Sequence, residues 1–70
     1  MTKEQFYKEL DNDSWKPDGE YEGVYKLKGT SIYVWWRSEA EMRISWGLEY
    51  TISRTPTSDR ILALVNAFQP

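Results

Sequence analysis

The stretch IYVWWRSEAEMRISWGLEYTI, residues 32–52, decides how the rest of the chain is read. From Met42 onward every second residue is apolar: Met42, Ile44, Trp46, Leu48, Tyr50 and Ile52. The residues between them, Arg43, Ser45, Gly47, Glu49 and Thr51, are small or polar. A period of two sends alternate side chains to opposite faces, so this run predicts a strand with one dry face and one wet face. Upstream, Ile32, Val34 and Trp36 alternate with Tyr33, Trp35 and Arg37, which makes both faces of that strand bulky. The polar segment from Ser38 to Glu41 reads as the turn joining the two runs.

Toward the N-terminus, residues 20–28 predict a preceding strand. Tyr21, Gly23, Tyr25 and Leu27 fall on one side of it, and Glu20, Glu22, Val24, Lys26 and Lys28 on the other. Lys28-Gly29-Thr30 supplies a hairpin turn into the next strand. Residues 12–19 read as a loop, because Asn, Asp, Ser, Pro and Gly cluster there. Trp15 lies within it and is expected to tuck into an edge of the core. Asn12-Asp13-Ser14 matches a glycosylation sequon, read as coincidence in a chain without a secretion signal. Thr2 followed by Gln5 makes a capping box, opening a helix to about Leu10 or Asp11 with Phe6, Tyr7 and Leu10 on its apolar stripe.

Toward the C-terminus, Gly47 interrupts the alternation and marks a bulge, a bend or the start of a fourth short strand. Thr55-Pro56-Thr57-Ser58-Asp59 stops one element and starts another. Pro56 holds Thr55 extended, and Thr57 or Ser58 can cap a helix. Ile61, Leu62, Leu64, Val65 and Phe68 give that helix an apolar stripe. The expected fold is therefore α+β in the order αβββα, one small domain over residues 1–70. Its three-stranded antiparallel sheet, with room for a fourth short strand, is packed by an N-terminal and a C-terminal helix. Ile32, Val34, Trp36, Ile44, Trp46 and Leu48 form the expected core face, met by Ile61, Leu64, Val65 and Phe68. With Trp46 in that core, Trp46→Ala is expected to cost about 3–5 kcal/mol.

Composition bounds the chemistry. A 70-residue chain buries little surface, and aromatic residues at 16%, including four Trp, supply large side chains to a core without staples. With no cysteine there is no disulfide, thiolate–metal site or cysteine nucleophile; with no histidine the commonest general base and metal ligand are gone. The net charge of −2 is uneven: residues 1–22 hold seven acids against three lysines, residues 23–70 six bases against four acids. Overall acidity argues against a general nucleic-acid binder, while the sheet region alone does not. No apolar run approaches the ~20 residues of a membrane span, and a cytoplasmic setting is expected.

Glu20 and Glu22 would stand about 7 Å apart on a strand, but paired carboxylates need a water-excluding cleft that so small a domain has little room for. Asp11, Asp13 and Asp18 only loosely follow a calcium loop: its twelfth position, Glu22, matches, but its sixth is Lys16 where glycine is required. No enzymatic activity, metal or cofactor is expected.

Binding remains. Tyr33, Trp35 and Arg37 project from one sheet face, with Lys26 and Arg43 on neighbouring strands. Tyr, Trp and Arg are the residues that anchor protein interfaces. The leading expectation is a non-enzymatic inhibitor or adaptor that occupies a surface of a larger protein, such as one that normally holds nucleic acid. Glu9, Asp11, Asp13, Asp18, Glu20 and Glu22 would form its acidic docking segment. Small acidic domains without Cys or His are common among accessory proteins of phages and mobile elements, an expectation from size and composition alone. The alternative uses the same aromatic and arginine face to bind a nucleotide or single-stranded nucleic acid. Both need Tyr33 and Trp35 free of the N-terminal helix, and a homodimer through a sheet edge is compatible with either.

Overall fold

The computed structural model describes residues 1–47 and 49–67. Helix α1, Lys3–Leu10, starts where the capping box puts it: the Gln5 N–H donates to Thr2 Oγ1 at 3.1 Å, and the Thr2 N–H to Gln5 Oε1 at 3.5 Å. Five strands follow: β1 (Trp15–Pro17), β2 (Val24–Leu27), β3 (Ile32–Ser38), β4 (Glu41–Trp46) and β5 (Tyr50–Arg54). They form one antiparallel sheet in the order β1-β2-β3-β4-β5. Helix α2, Ser58–Ala67, is capped by Thr57, whose Oγ1 accepts the Arg60 N–H at 3.2 Å.

The register fixes the faces. Trp15 lies opposite Leu27, Tyr25 opposite Val34, Val34 opposite Ile44, and Ile44 opposite Ile52. Directly opposed residues share a face, so all of these point one way. Phe6 and Leu10 from α1 and Ile61 from α2 complete the buried cluster with Trp15, Leu27, Val34, Met42 and Ile44. Both helices therefore pack on the same side of the sheet and against each other. Among the described residues, the opposite side carries no helix.

The sheet has five strands, against the three with room for a fourth expected from sequence. One addition is β1. Residues 12–19 were expected to be a loop, yet Trp15-Lys16-Pro17 pairs with β2 and Trp15 is fully buried. Asn12 Oδ1 turns the chain into it by accepting the N–H groups of Ser14 and Trp15 at 2.6 and 2.9 Å. The other, β5, is the fourth short strand for which Gly47 left room, since Met42–Ile52 is not one run. Gly47 takes φ +65°, a left-handed conformation that glycine adopts at little cost, and the chain folds back there.

Three further expectations change. Residues 20–22 lie outside β2, since Gly23 adopts φ +78°, so Glu20 and Glu22 do not share a strand face, and Tyr21 is 62% exposed. Trp46 points to the helix-bearing face but is 38% exposed and packs on the exposed Tyr50, so it is not a central core residue. Met42 takes that role at 1% exposed, with Ile32 and Trp36 packed at the margin. Leu48 and Phe68 lie outside the described residues. Among the described residues, no helix is long and apolar enough to cross a membrane.

Candidate binding face

On the helix-free face, two rows of side chains cross the sheet. Lys16, Lys26, Tyr33, Ser45 and Thr51 form one row; Val24, Trp35, Arg43 and Ser53 form the next. The bulky alternation of β3 has now been divided: Val34 goes into the core, while Tyr33 and Trp35 stand half-buried on the open side. Helix α1 lies over Trp36 instead, with the Phe6 and Trp36 ring centroids 5.5 Å apart.

Tyr33 and Trp35 wall a cleft of about 510 Å³ together with Val24 and the exposed Tyr21. Its floor is low because the row beside Tyr33 holds Ser45, with Gly47 beyond it. Ser45 is itself buried, and its hydroxyl donates to the Gly47 carbonyl at 2.7 Å. Glu20 borders the cleft. Lys26 Nζ lies 5.9 Å from the Tyr33 ring centroid, within cation–π range.

The two arginines are not free cations. Arg37 Nε lies 3.4 Å from Glu41 Oε1, and Arg43 Nε 3.2 Å from Glu41 Oε2. Ser53 Oγ donates to the same Oε2 at 2.6 Å. The Ser53 hydrogen bond first, then Arg43 and Arg37, hold the Glu41 carboxyl below the usual carboxylate range against the opposing effect of desolvation. One carboxylate thus neutralises half of the arginine charge beside Trp35. Glu41 and Ser53 were not foreseen as parts of this face. The signal was present: Glu41, Arg43 and Ser45 follow one another at two-residue spacing, and Arg37 precedes Glu41 by four.

The six acids do not share one set of partners, although Asp11, Asp13 and Asp18 gather around Lys16. The Glu9 carboxylate accepts the Ser58 hydroxyl at 3.3 Å, tying α1 to α2. Asp11 pairs with Lys16 at 3.7 Å. Asp13 and Asp18 line a separate groove of about 340 Å³ with Lys16, Lys26 and Lys28, and Asp18 Oδ2 also accepts the Tyr21 N–H at 3.2 Å. Glu22 occupies the turn before β2. Of the six, only Glu20 borders the aromatic cleft.

Comparison of the chain with protein-family models, with curated proteins and with solved structures finds no match. Function has to be read from the face itself.

Proposed function

We propose that this chain is a non-enzymatic binding protein that docks its open sheet face on a larger protein, acting as an inhibitor or adaptor by occupying that surface. The observation that supports this reading best is the character of the helix-free face. Tyr33 and Trp35 are left uncovered beside a cleft, while Arg37 and Arg43 are tied to Glu41. An aromatic centre with internally paired charges at its rim is what a protein partner buries well, because aromatic and arginine side chains carry most interface energy. Phosphate groups would instead call for unpaired cations.

The acids play a smaller part than the charge distribution suggests. Glu9, Asp11 and Asp18 have partners within the chain, so Glu20 is the acid that a docked basic side chain would meet at the cleft.

A second reading is favoured by one specific row. Lys16, Lys26 and Tyr33 lie side by side across β1, β2 and β3, with the Lys26 ammonium over the Tyr33 ring. A base stacked on Tyr33 or Trp35 would have its phosphate near those lysines, as in single-strand binding.

Affinity capture with the full chain, with and without nuclease, separates the two. The first reading expects a protein partner that survives nuclease and is lost with Trp35→Ala and Tyr33→Ala. Partners that vanish on nuclease treatment would replace it with the second. Capture unaffected by either substitution would remove both.

A further inference from the structure

The two edges of the sheet are finished differently, and the difference points to a second copy of this chain. At the β1 edge no outward N–H is left open. Asp18 N–H donates to the Val24 carbonyl and Lys28 N–H to the Ser14 carbonyl, both at 2.8 Å, so Lys16 faces β2 while Trp15 and Pro17 face outward. The Trp15 N–H donates to Asn12 Oδ1, its carbonyl accepts the Asn12 N–H at 3.3 Å, and Pro17 has no N–H to offer.

The β5 edge is finished only in part, by a charged side chain on one carbonyl. Gly47 N–H donates to the Ser31 carbonyl at 2.7 Å, which sets the alternation along β4: Arg43 and Ser45 bond to β3, and Met42, Ile44 and Trp46 to β5. Their partners Tyr50, Ile52 and Arg54 therefore bond inward, and the main-chain groups of Thr51 and Ser53 face outward. Among the described residues none meets the outward N–H groups, and the Ser53 carbonyl is met only by the guanidinium of its own neighbour, Arg54 Nη1, at 2.8 Å. No proline, lysine or bulge protects this strand.

We infer that β5 pairs antiparallel with β5 of a second copy about a two-fold axis at Ile52. In that register Thr51 of each copy opposes Ser53 of the other, so the outward N–H and C=O groups close two hydrogen-bonded pairs as Arg54 swings off the Ser53 carbonyl toward Tyr50 of the other copy. Ile52 meets Ile52 at the intervening position, where side chains stand closest. Tyr50, 60% exposed, meets Arg54 of the second copy, a ring and a guanidinium suited to stack. The charges agree with this direction. Glu49 stands at one end of the strand, and Arg54 and Arg60 at the other, where Arg60 Nη1 donates to the Thr55 carbonyl at 2.9 Å. Antiparallel pairing brings unlike ends together. Opposed residues share a face, so the dimer forms a ten-stranded sheet with both aromatic clefts on one side and both helix pairs on the other. This inference concerns the edge and stands independently of what the open face binds.

The test is sedimentation equilibrium of the full chain from about 10 μM to about 1 mM, a range matched to weak association. The mass should rise from the 8.3 kDa of one chain toward twice that value. Ser53→Pro removes one outward N–H and leaves the β4 ladder intact; Thr51→Lys places a charge on the seam. Both should remain at the monomer mass while keeping the wild-type circular dichroism. The chain has no cysteine, so single-cysteine variants report the register directly. Ile52→Cys should form a disulfide dimer under mild oxidation; Thr51→Cys, whose copies would be too far apart, should not. A wild-type chain that stays monomeric throughout overturns the inference. So does a dimer that Ser53→Pro and Thr51→Lys leave intact, or cross-linking at position 51 in place of 52.

Discussion

The backbone N–H of Trp36 donates to the phenol oxygen of Tyr7 at 3.2 Å, a bond that joins the first helix to the central strand. Tyr7 in turn donates to the carbonyl of Gly23. By the register of β2 and β3, Gly23 and Trp36 are the next pair in the ladder, so the Tyr7 hydroxyl is inserted where their direct bond would form. Helix α1 has only eight residues and would be marginal alone, so this insertion and the burial of Phe6 and Leu10 hold it on its face of the sheet.

Tyr7→Phe leaves both main-chain groups without that hydroxyl and should cost about 1–3 kcal/mol. Urea denaturation should show a lower midpoint at an unchanged slope. A midpoint equal to wild type would mean that the latch contributes nothing.

Glu41 controls the charge of the open face. Its carboxyl is held below its unfolded value, so its contribution to stability is present above the ordinary carboxylate range and is lost as pH falls through the depressed folded value. Glu41→Gln should flatten the acid limb of the stability–pH curve. It should also leave Arg37 and Arg43 unneutralised, raising affinity for single-stranded DNA several-fold at low salt, with the gain disappearing as salt rises. Unchanged DNA affinity in Glu41→Gln would show that the arginines are not restrained by this carboxylate.

The tryptophans should differ in what they contribute. Trp15 is fully buried in a three-residue strand, and Trp15→Ala should cost about 3–5 kcal/mol. Trp46 is 38% exposed and packs on Tyr50 at 5.5 Å, so Trp46→Ala should cost about 1 kcal/mol, in the range of aromatic pairing. Thermal unfolding of the two variants checks the order. Trp46→Ala being the more damaging would restore the core inferred from sequence.

At Gly47 a side chain would meet no atom within 4 Å, so the effect of substitution is the backbone's alone. At φ +65° Gly47→Ala should cost about 1–2 kcal/mol, and Gly47→Asn less. Equal melting temperatures for all three chains would mean that the β4–β5 turn does not depend on this conformation.

Much of this was legible in the sequence. The Thr2–Gln5 capping box, the α1 stripe through Phe6 and Leu10, the Lys28-Gly29-Thr30 turn and the face division of β3 and β4 all follow local rules. β1 was hidden because three residues are too short to show a period, and Pro17 argues against a strand unless it faces outward from an edge. The misreading of residues 20–22 has a similar cause: alternation continues in sequence past Gly23, while its positive φ ends the pairing. Which face the helices cover was not written in either amphipathic stripe. That follows from long-range contacts, above all Tyr7 in the β2–β3 ladder and Phe6 on Trp36. The same contacts leave Tyr33 and Trp35 uncovered.

The four tryptophans allow the central claim to be measured in one spectrum. Trp15 lies in the core, Trp36 under α1, Trp46 at the exposed corner of the helix-bearing face, and Trp35 on the open face. Each indole N–H gives its own signal in a nitrogen–proton correlation spectrum of the labelled chain, and adding the captured partner protein shows which face it engages. The account predicts that the Trp35 signal moves or broadens most while Trp15 and Trp36 stay in place. A shift confined to Trp46, with Trp35 unmoved, would place the partner on the other side of the sheet and contradict it.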